Sequence, residues 1–244
     1  GATLYSTLEP CSFHGRTLGG INAGAQEKYR EGFGPRLPGF RSVPFGDHDA
    51  LKKEIVAPDL AAVLIEPVQG EGGVREVPDQ CLQGLRKLCD EAGVLLIYDE
   101  IQCGAGRTGQ LFHHQWVKDA EPDLLAAAKG IGGGFPMGMI LASAEAASGM
   151  AKGVHGTTFG GGPLAMAVGN AVLDVIAGEG FLENVRRVSG TLTQGMESLK
   201  DRYPDLVEDV TGRGLLRGLR MKQDPMPLRG KLSDRGLLVG TAGN

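Results

Sequence analysis

The sequence predicts an α/β fold in which a mostly parallel sheet is flanked by helices. Three observations carry that prediction. Short apolar runs at residues 61–65, 94–98 and 124–127 are each long enough for one strand. A helical apolar pattern lies between the first two runs. The connections are short, as β-α-β units require.

The elements follow in order. Residues 61–65, Ala-Ala-Val-Leu-Ile, are wholly apolar and end in Glu66-Pro67, as a buried parallel strand should. Residues 78–92 repeat apolar side chains at Cys81, Leu82, Leu85, Leu88 and Cys89, which is helical spacing, and Gly93 ends that helix. Residues 94–98 form the next strand, 124–127 another, and 139–143 a further apolar run after a glycine-rich turn. Beyond Pro163 the pattern changes. Residues 164–176 and 182–199 read as two long helices, and 210–220 as one glycine-rich strand that opens a smaller α+β unit. No helix is expected after that strand.

Bulk properties narrow the class. With 244 residues the chain can bury a sizeable core. Its 41% hydrophobic and 22% charged content and net charge of −4 suit an ordinary soluble protein and argue against nucleic acid as a partner. No apolar run approaches the roughly 20 residues that span a bilayer. No secretory signal is visible, so a cytoplasmic location is expected. The four cysteines, Cys11, Cys81, Cys89 and Cys103, match neither a zinc motif nor a disulfide scaffold and are expected to be free thiols. Cys103 reads as a small buried filler. His14, His48, His113, His114 and His155 form no metal-ligand pattern, and no metal site is predicted. The 40 glycines have no period, and neither a Walker nor a dinucleotide-binding glycine pattern is present in residues 106–109 or 130–134.

Two segments carry the chemistry. Asp99 stands at the C-terminal end of the 94–98 strand, and Lys129 directly precedes Gly130-Ile131-Gly132-Gly133-Gly134. In parallel sheets ligands bind at the carboxyl ends of strands, where Glu66, Asp99 and Lys129 fall. A strand-end acid and a lysine beside pliable backbone are what a pyridoxal phosphate (PLP) enzyme requires. The lysine forms the Schiff base, and the aspartate keeps the pyridine nitrogen protonated so that the ring draws electrons. Taken singly, Lys129 would pass for a surface lysine and Asp99 for a turn or N-cap aspartate.

Five blocks in order widen the argument: residues 12–17 (Ser-Phe-His-Gly-Arg-Thr), 66–73 (Glu-Pro-Val-Gln-Gly-Glu-Gly-Gly), 98–102 with 106–109, Lys129-Gly130, and 155–161. Together they resemble the class III (ornithine-type) PLP-dependent aminotransferases, and most closely the acetylornithine branch. The resemblance implies the PLP-dependent transferase fold type I. It implies a segment 1–8, a large PLP-binding domain over 9–178 and the start of a small C-terminal domain over 179–244. It also implies roles. Lys129 is the Schiff-base lysine and proton carrier, and Asp99 pairs with the pyridinium nitrogen. Phe13 stacks on the cofactor ring, Gln102 lies near its phenolic oxygen, and Thr158 reaches the phosphate of a neighbouring subunit in a homodimer with shared sites. Arg16 binds a substrate carboxylate, for which a guanidinium fork is suited, and Glu71 is a gate acid. Without the family, Phe13 would read as a core residue and Arg16 and Glu71 as solvated charges.

The implied reaction moves the side-chain amino group of N-acetylornithine, or a succinylated relative, to 2-oxoglutarate, giving the semialdehyde and glutamate in arginine biosynthesis. Ornithine and 4-aminobutyrate transaminases are the near alternatives. A catalytically silent dimerisation or binding module is the alternative of another class, and a nucleotide-binding protein ranks below both. Two pieces of the family pattern are absent. The phosphate-binding turn between the N-terminal strand and Phe13 is not found, and the α-carboxylate arginine expected after Gly243-Asn244 is missing. The expectation is therefore an ordered subset, or an internally deleted version, of a protein of about 400 residues.

Overall fold

In the computed structural model, residues 3–6, 18–24, 30–154 and 156–242 are described. The chain runs through β1 (Thr3–Ser6), α1 (Leu18–Ala23), β2 (Phe40–Ser42), α2 (His48–Ile55) and β3 (Leu60–Ile65). A small hairpin follows, β4 (Val68–Gln69) and β5 (Arg75–Glu76), and then α3 (Asp79–Ala92), β6 (Leu95–Asp99), β7 (Leu124–Ala128) and β8 (Gly138–Ala142). The rest comprises α4 (Ala144–Ala147), α5 (Pro163–Ile176), α6 (Phe181–Arg202), β9 (Val207–Arg213), β10 (Leu216–Met221) and α7 (Met226–Ser233).

The main sheet has six strands in the order β2-β1-β3-β6-β7-β8. All neighbouring pairs are parallel except β7–β8, so the mostly parallel expectation holds and the apolar run after the glycine turn is an antiparallel edge. Alternation along β6 sends Leu96 and Tyr98 into the core with Val63, Ile65, Leu82, Leu85 and Cys89, while Asp99 turns to the other face. Helix α3 lies on that core through Leu82, Leu85 and Cys89. It stops at Gly93, whose φ of 66° lets Val94 N–H reach the Cys89 carbonyl at 2.9 Å. Asp123 locks the layer to the sheet: its Oδ2 accepts from Leu96 N at 2.7 Å and pairs with Arg86 Nη1 at 2.8 Å.

Two readings of the C-terminal part need correction. Residues 210–220 are not one strand but the turn and arms of an antiparallel hairpin, β9–β10, with Leu216 opposite Arg213. The turn at Gly214 has a φ of 63°, a conformation that frees a glycine to reverse the chain. A helix, α7, follows the hairpin and begins beside Pro227 at its first turn, where proline lacks a donor that would be unpaired in any case. No single helix among the described residues is long and apolar enough to cross a membrane.

Candidate active site

The carboxyl ends of β3, β6 and β7 converge. Ile65 pairs with Tyr98, so Glu66 and Asp99 stand side by side one step beyond that pair. Asp99 pairs with Ala126 on β7, and Lys129 follows three residues later. Lys129 itself takes a φ of 49°, a left-handed conformation costing a non-glycine residue of order 1–3 kcal/mol, which is tolerable only where the surroundings impose it. Gly130 supplies part of that constraint. A methyl group there would stand 3.1 Å from Ala105 Cβ, so the lysine turn is seated against the loop that leaves β6. Lys129 is exposed at the mouth of the site, and Asp99 is 5% exposed at its floor, with Oδ1 accepting from Ile101 N at 3.0 Å.

Glu66 is the site residue that sequence reasoning placed at the strand end but gave no role. It is 1% exposed; Oε2 accepts one long hydrogen bond from Gly70 N at 3.4 Å, and Oε1 has no partner. Burial, followed by the charge of Asp99, raises its carboxyl to about 9, against the weaker pull of the Gly70 hydrogen bond and Lys129. Glu66 therefore carries its proton at neutral pH. Its position was legible in the sequence, but the burial that protonates it was not.

The 70–74 loop closes over this floor. Gly70 packs directly on Gln102: any side chain there would overlap the Gln102 amide oxygen, which has no hydrogen-bond partner among the described residues. Gln102 is thus held against the loop that carries Glu71, which is half-buried and whose charge adds to the rise at Glu66. Gln69, fully buried with both amide atoms unpartnered, is a second residue that sequence reasoning passed over. Asp99, Lys129, Gln102 and Glu71 are brought together. Thr158 lies in the exposed turn ahead of α5, and among the described residues no contact ties it to this floor. Phe13 and Arg16 lie outside the described residues.

Behind β6 the chemistry is different. Glu100 is 1% exposed, and Oε1 accepts from His114 N at 3.0 Å with His114 Nδ1 at 2.9 Å, while Oε2 accepts from His113 N. His113 is fully buried and its ring is lowered to about 4 by that burial, so it is neutral and structural. Cys103 is fully buried with its thiol raised by burial, in keeping with a filler. Residues 106–109 form a joint rather than a phosphate cradle. Arg107 O accepts from Leu215 N at 2.9 Å, Thr108 O from Trp116 Nε1 at 3.1 Å, and Gly109 O from Arg186 Nη1 at 2.7 Å.

The residues fit pyridoxal phosphate. Of two adjacent buried carboxyls one is neutral, leaving Asp99 to face a single protonated ring nitrogen, and the unpartnered Gln102 oxygen and the Lys129 amine border the same space. Comparison with known proteins agrees. The sequence model of the family described as Aminotransferase class-III matches residues 10–244, and the chain belongs to that family. Within it, acetylornithine aminotransferases are close in sequence. That of Mesorhizobium japonicum is 58% identical over 233 residues, covering 96% of this chain and 58% of the relative. That of Agrobacterium fabrum is 61% identical over 211 residues, covering 86% and 52%. Among solved structures, the ornithine aminotransferase of Toxoplasma gondii superposes with a TM-score of 0.91 at 31% identity, covering all of this chain and 58% of that one. The neighbours identify the fold as that of the PLP-dependent aminotransferases. The chain spans a little over half the length of the curated relatives it matches.

Proposed function

We propose that this chain is the core of a PLP-dependent transaminase that moves the side-chain amino group of N-acetylornithine, or its succinylated relative, to 2-oxoglutarate in arginine biosynthesis. The observation that carries the reading is the convergence of Glu66, Asp99 and Lys129 at the ends of three adjacent parallel strands. The names of the relatives at 58% and 61% identity support the donor. When bound, pyridoxal phosphate supplies the electron sink that stabilises charge on the carbon losing its proton.

The residues divide the remaining work. Lys129 Nζ would hold the cofactor and is the base that would take and return the proton at the amine-bearing carbon. Asp99 keeps the ring nitrogen protonated. Glu66 retains its own proton, so that the floor carries one negative charge rather than two. Gln102 would meet the ring's phenolic oxygen, and Phe13, outside the described residues, would supply the ring's aromatic neighbour. Arg16 would bind a substrate carboxylate, and Glu71 is the gate acid that would pair with an arginine and release it when a dicarboxylate substrate arrives.

The division into a large cofactor-binding unit, 9–178, and a smaller unit from 179 belongs to the same proposal. So does a homodimer in which Thr158 reaches the partner's cofactor phosphate. Exposed apolar side chains at that turn, Phe159 at 88% and Leu164 at 66%, support an interface there. A cytoplasmic location accords with the free thiols of Cys81, Cys89 and Cys103. A second reading, ornithine itself as donor, is favoured by the likeness to the Toxoplasma enzyme. Glutamate formation from 2-oxoglutarate with a panel of ω-amines tests both. Activity with N-acetylornithine well above ornithine supports the first reading, the reverse order supports the second, and no transfer from any amine ends the enzyme reading.

A further inference from the structure

Val74 is the only β-branched residue among the non-glycine positions with positive φ in the described chain, at 53°. Such a residue is rarely found in that region and is held there only when its surroundings over-determine it. It closes the 70–74 loop: both Gly73 N and Val74 N donate to the Gly70 carbonyl at 3.1 Å. One end of this loop rests on the site floor, through Gly70 against Gln102 and through Gly70 N on Glu66.

The other end meets the β9–β10 hairpin. A methyl group placed on Gly218 would lie 3.0 Å from Thr211 Oγ1 and 3.1 Å from both Val74 Cβ and Val74 Cγ2, and one on Gly212 would lie 2.1 Å from the Leu216 carbonyl oxygen and 2.5 Å from Val74 Cγ1. The two glycines are neighbours across the hairpin, where Gly218 pairs with Thr211 and Arg217 with Gly212. They leave a hollow that the valine side chain fills. Arg213, beside Gly212, fixes the same contact from the rim by pairing with Glu76 of β5 at 2.5 Å and Asp79 of α3 at 2.9 Å.

We propose that Val74 is a positioning residue: seated in the Gly212–Gly218 hollow, it couples the β9–β10 hairpin to the loop that presents Glu71 and closes on Gln102. The seat is a steric match, so the hairpin sets where the loop stands, and a shift of a few tenths of an ångström at the hollow is delivered to the substrate side of the site. The kinetic part of this inference rests on the transaminase reading through Glu71; the mechanical part does not.

Hydrogen–deuterium exchange of residues 70–76, followed by mass spectrometry on the intact protein, tests the mechanical part. Gly218→Ala intrudes on the valine from below, and Val74→Ala empties the hollow. Each single variant should speed exchange of the Gly73 and Val74 amides by about fivefold or more. The double variant, which removes Val74 Cγ2 from the path of the new methyl but keeps Cβ, should recover part of the lost protection. Arg220→Ala, on the same hairpin but away from the hollow, should leave those amides unchanged. In the same variants KM for the amino donor should rise several-fold while kcat stays within about twofold, and the double should reverse part of that rise. Unchanged loop exchange in Val74→Ala, or no recovery in the double, overturns the coupling. Coupled exchange in a protein that transfers no amino group overturns the transaminase reading and leaves the coupling standing.

Discussion

Glu66 and Glu100 are both 1% exposed, follow neighbouring strands of the sheet, and are treated in opposite ways. Glu100 is surrounded by two backbone N–H groups and the His114 ring, enough donors to hold a carboxylate without water. Glu66 receives one long hydrogen bond and stands next to another acid, so it keeps its proton. A buried acid with a full set of donors fixes the fold; one left short of donors stores a proton where chemistry is done.

The sharpest way to break the comparison is to remove Glu100. Glu100→Ala leaves the His113 and His114 amides buried without an acceptor, and should cost about 3–5 kcal/mol in denaturant unfolding. A cost below about 1 kcal/mol would place Glu100 in the same class as a surface acid.

Glu66→Gln should do the reverse. A carboxyl that releases its proton at 4.5 when unfolded but only at about 9 when folded binds more protons in the native state between those values. Its contribution is therefore fully present below pH 4.5 and is lost as pH rises through about 9. Glutamine removes that loss, so the variant should match the wild type near pH 4 and exceed it by about 4–5 kcal/mol at pH 8. Thermal unfolding across pH measures the gap; a gap that does not widen with pH contradicts a protonated Glu66.

Gly70→Ala acts at the loop between the two acids. Its methyl must displace the Gln102 amide, and PLP affinity by equilibrium dialysis should fall about tenfold, with a change in unfolding free energy of about 1 kcal/mol. Smallest of all, Arg213→Ala removes two half-exposed ion pairs and the stacking over the Trp116 ring, for about 1 kcal/mol in denaturant unfolding.

The order of legibility follows the physics. The strands β3, β6 and β7 and the helix α3 were readable because each buries a periodic apolar face, and Asp99 and Lys129 were readable because they end those strands. Helix α2 was not, since of its residues only Ile55 is buried and its start is marked by little more than the Asp47 side chain capping Ala50 N at 2.9 Å. The β9–β10 hairpin passed for one strand because Gly212, Gly214 and Gly218 carry no side-chain pattern; two of them pack beside Val74. The proton on Glu66 depends on what the chain packs around it, which no local pattern encodes.

The central claim is that Lys129 holds the cofactor over a floor on which Asp99 stands beside a protonated Glu66. Fixing bound pyridoxal phosphate with borohydride and mapping the modified peptide tests it most directly. The account predicts a single adduct on Lys129, abolished in Lys129→Ala without loss of folding. An adduct on another lysine of the wild-type protein, or its persistence in Lys129→Ala, would contradict it.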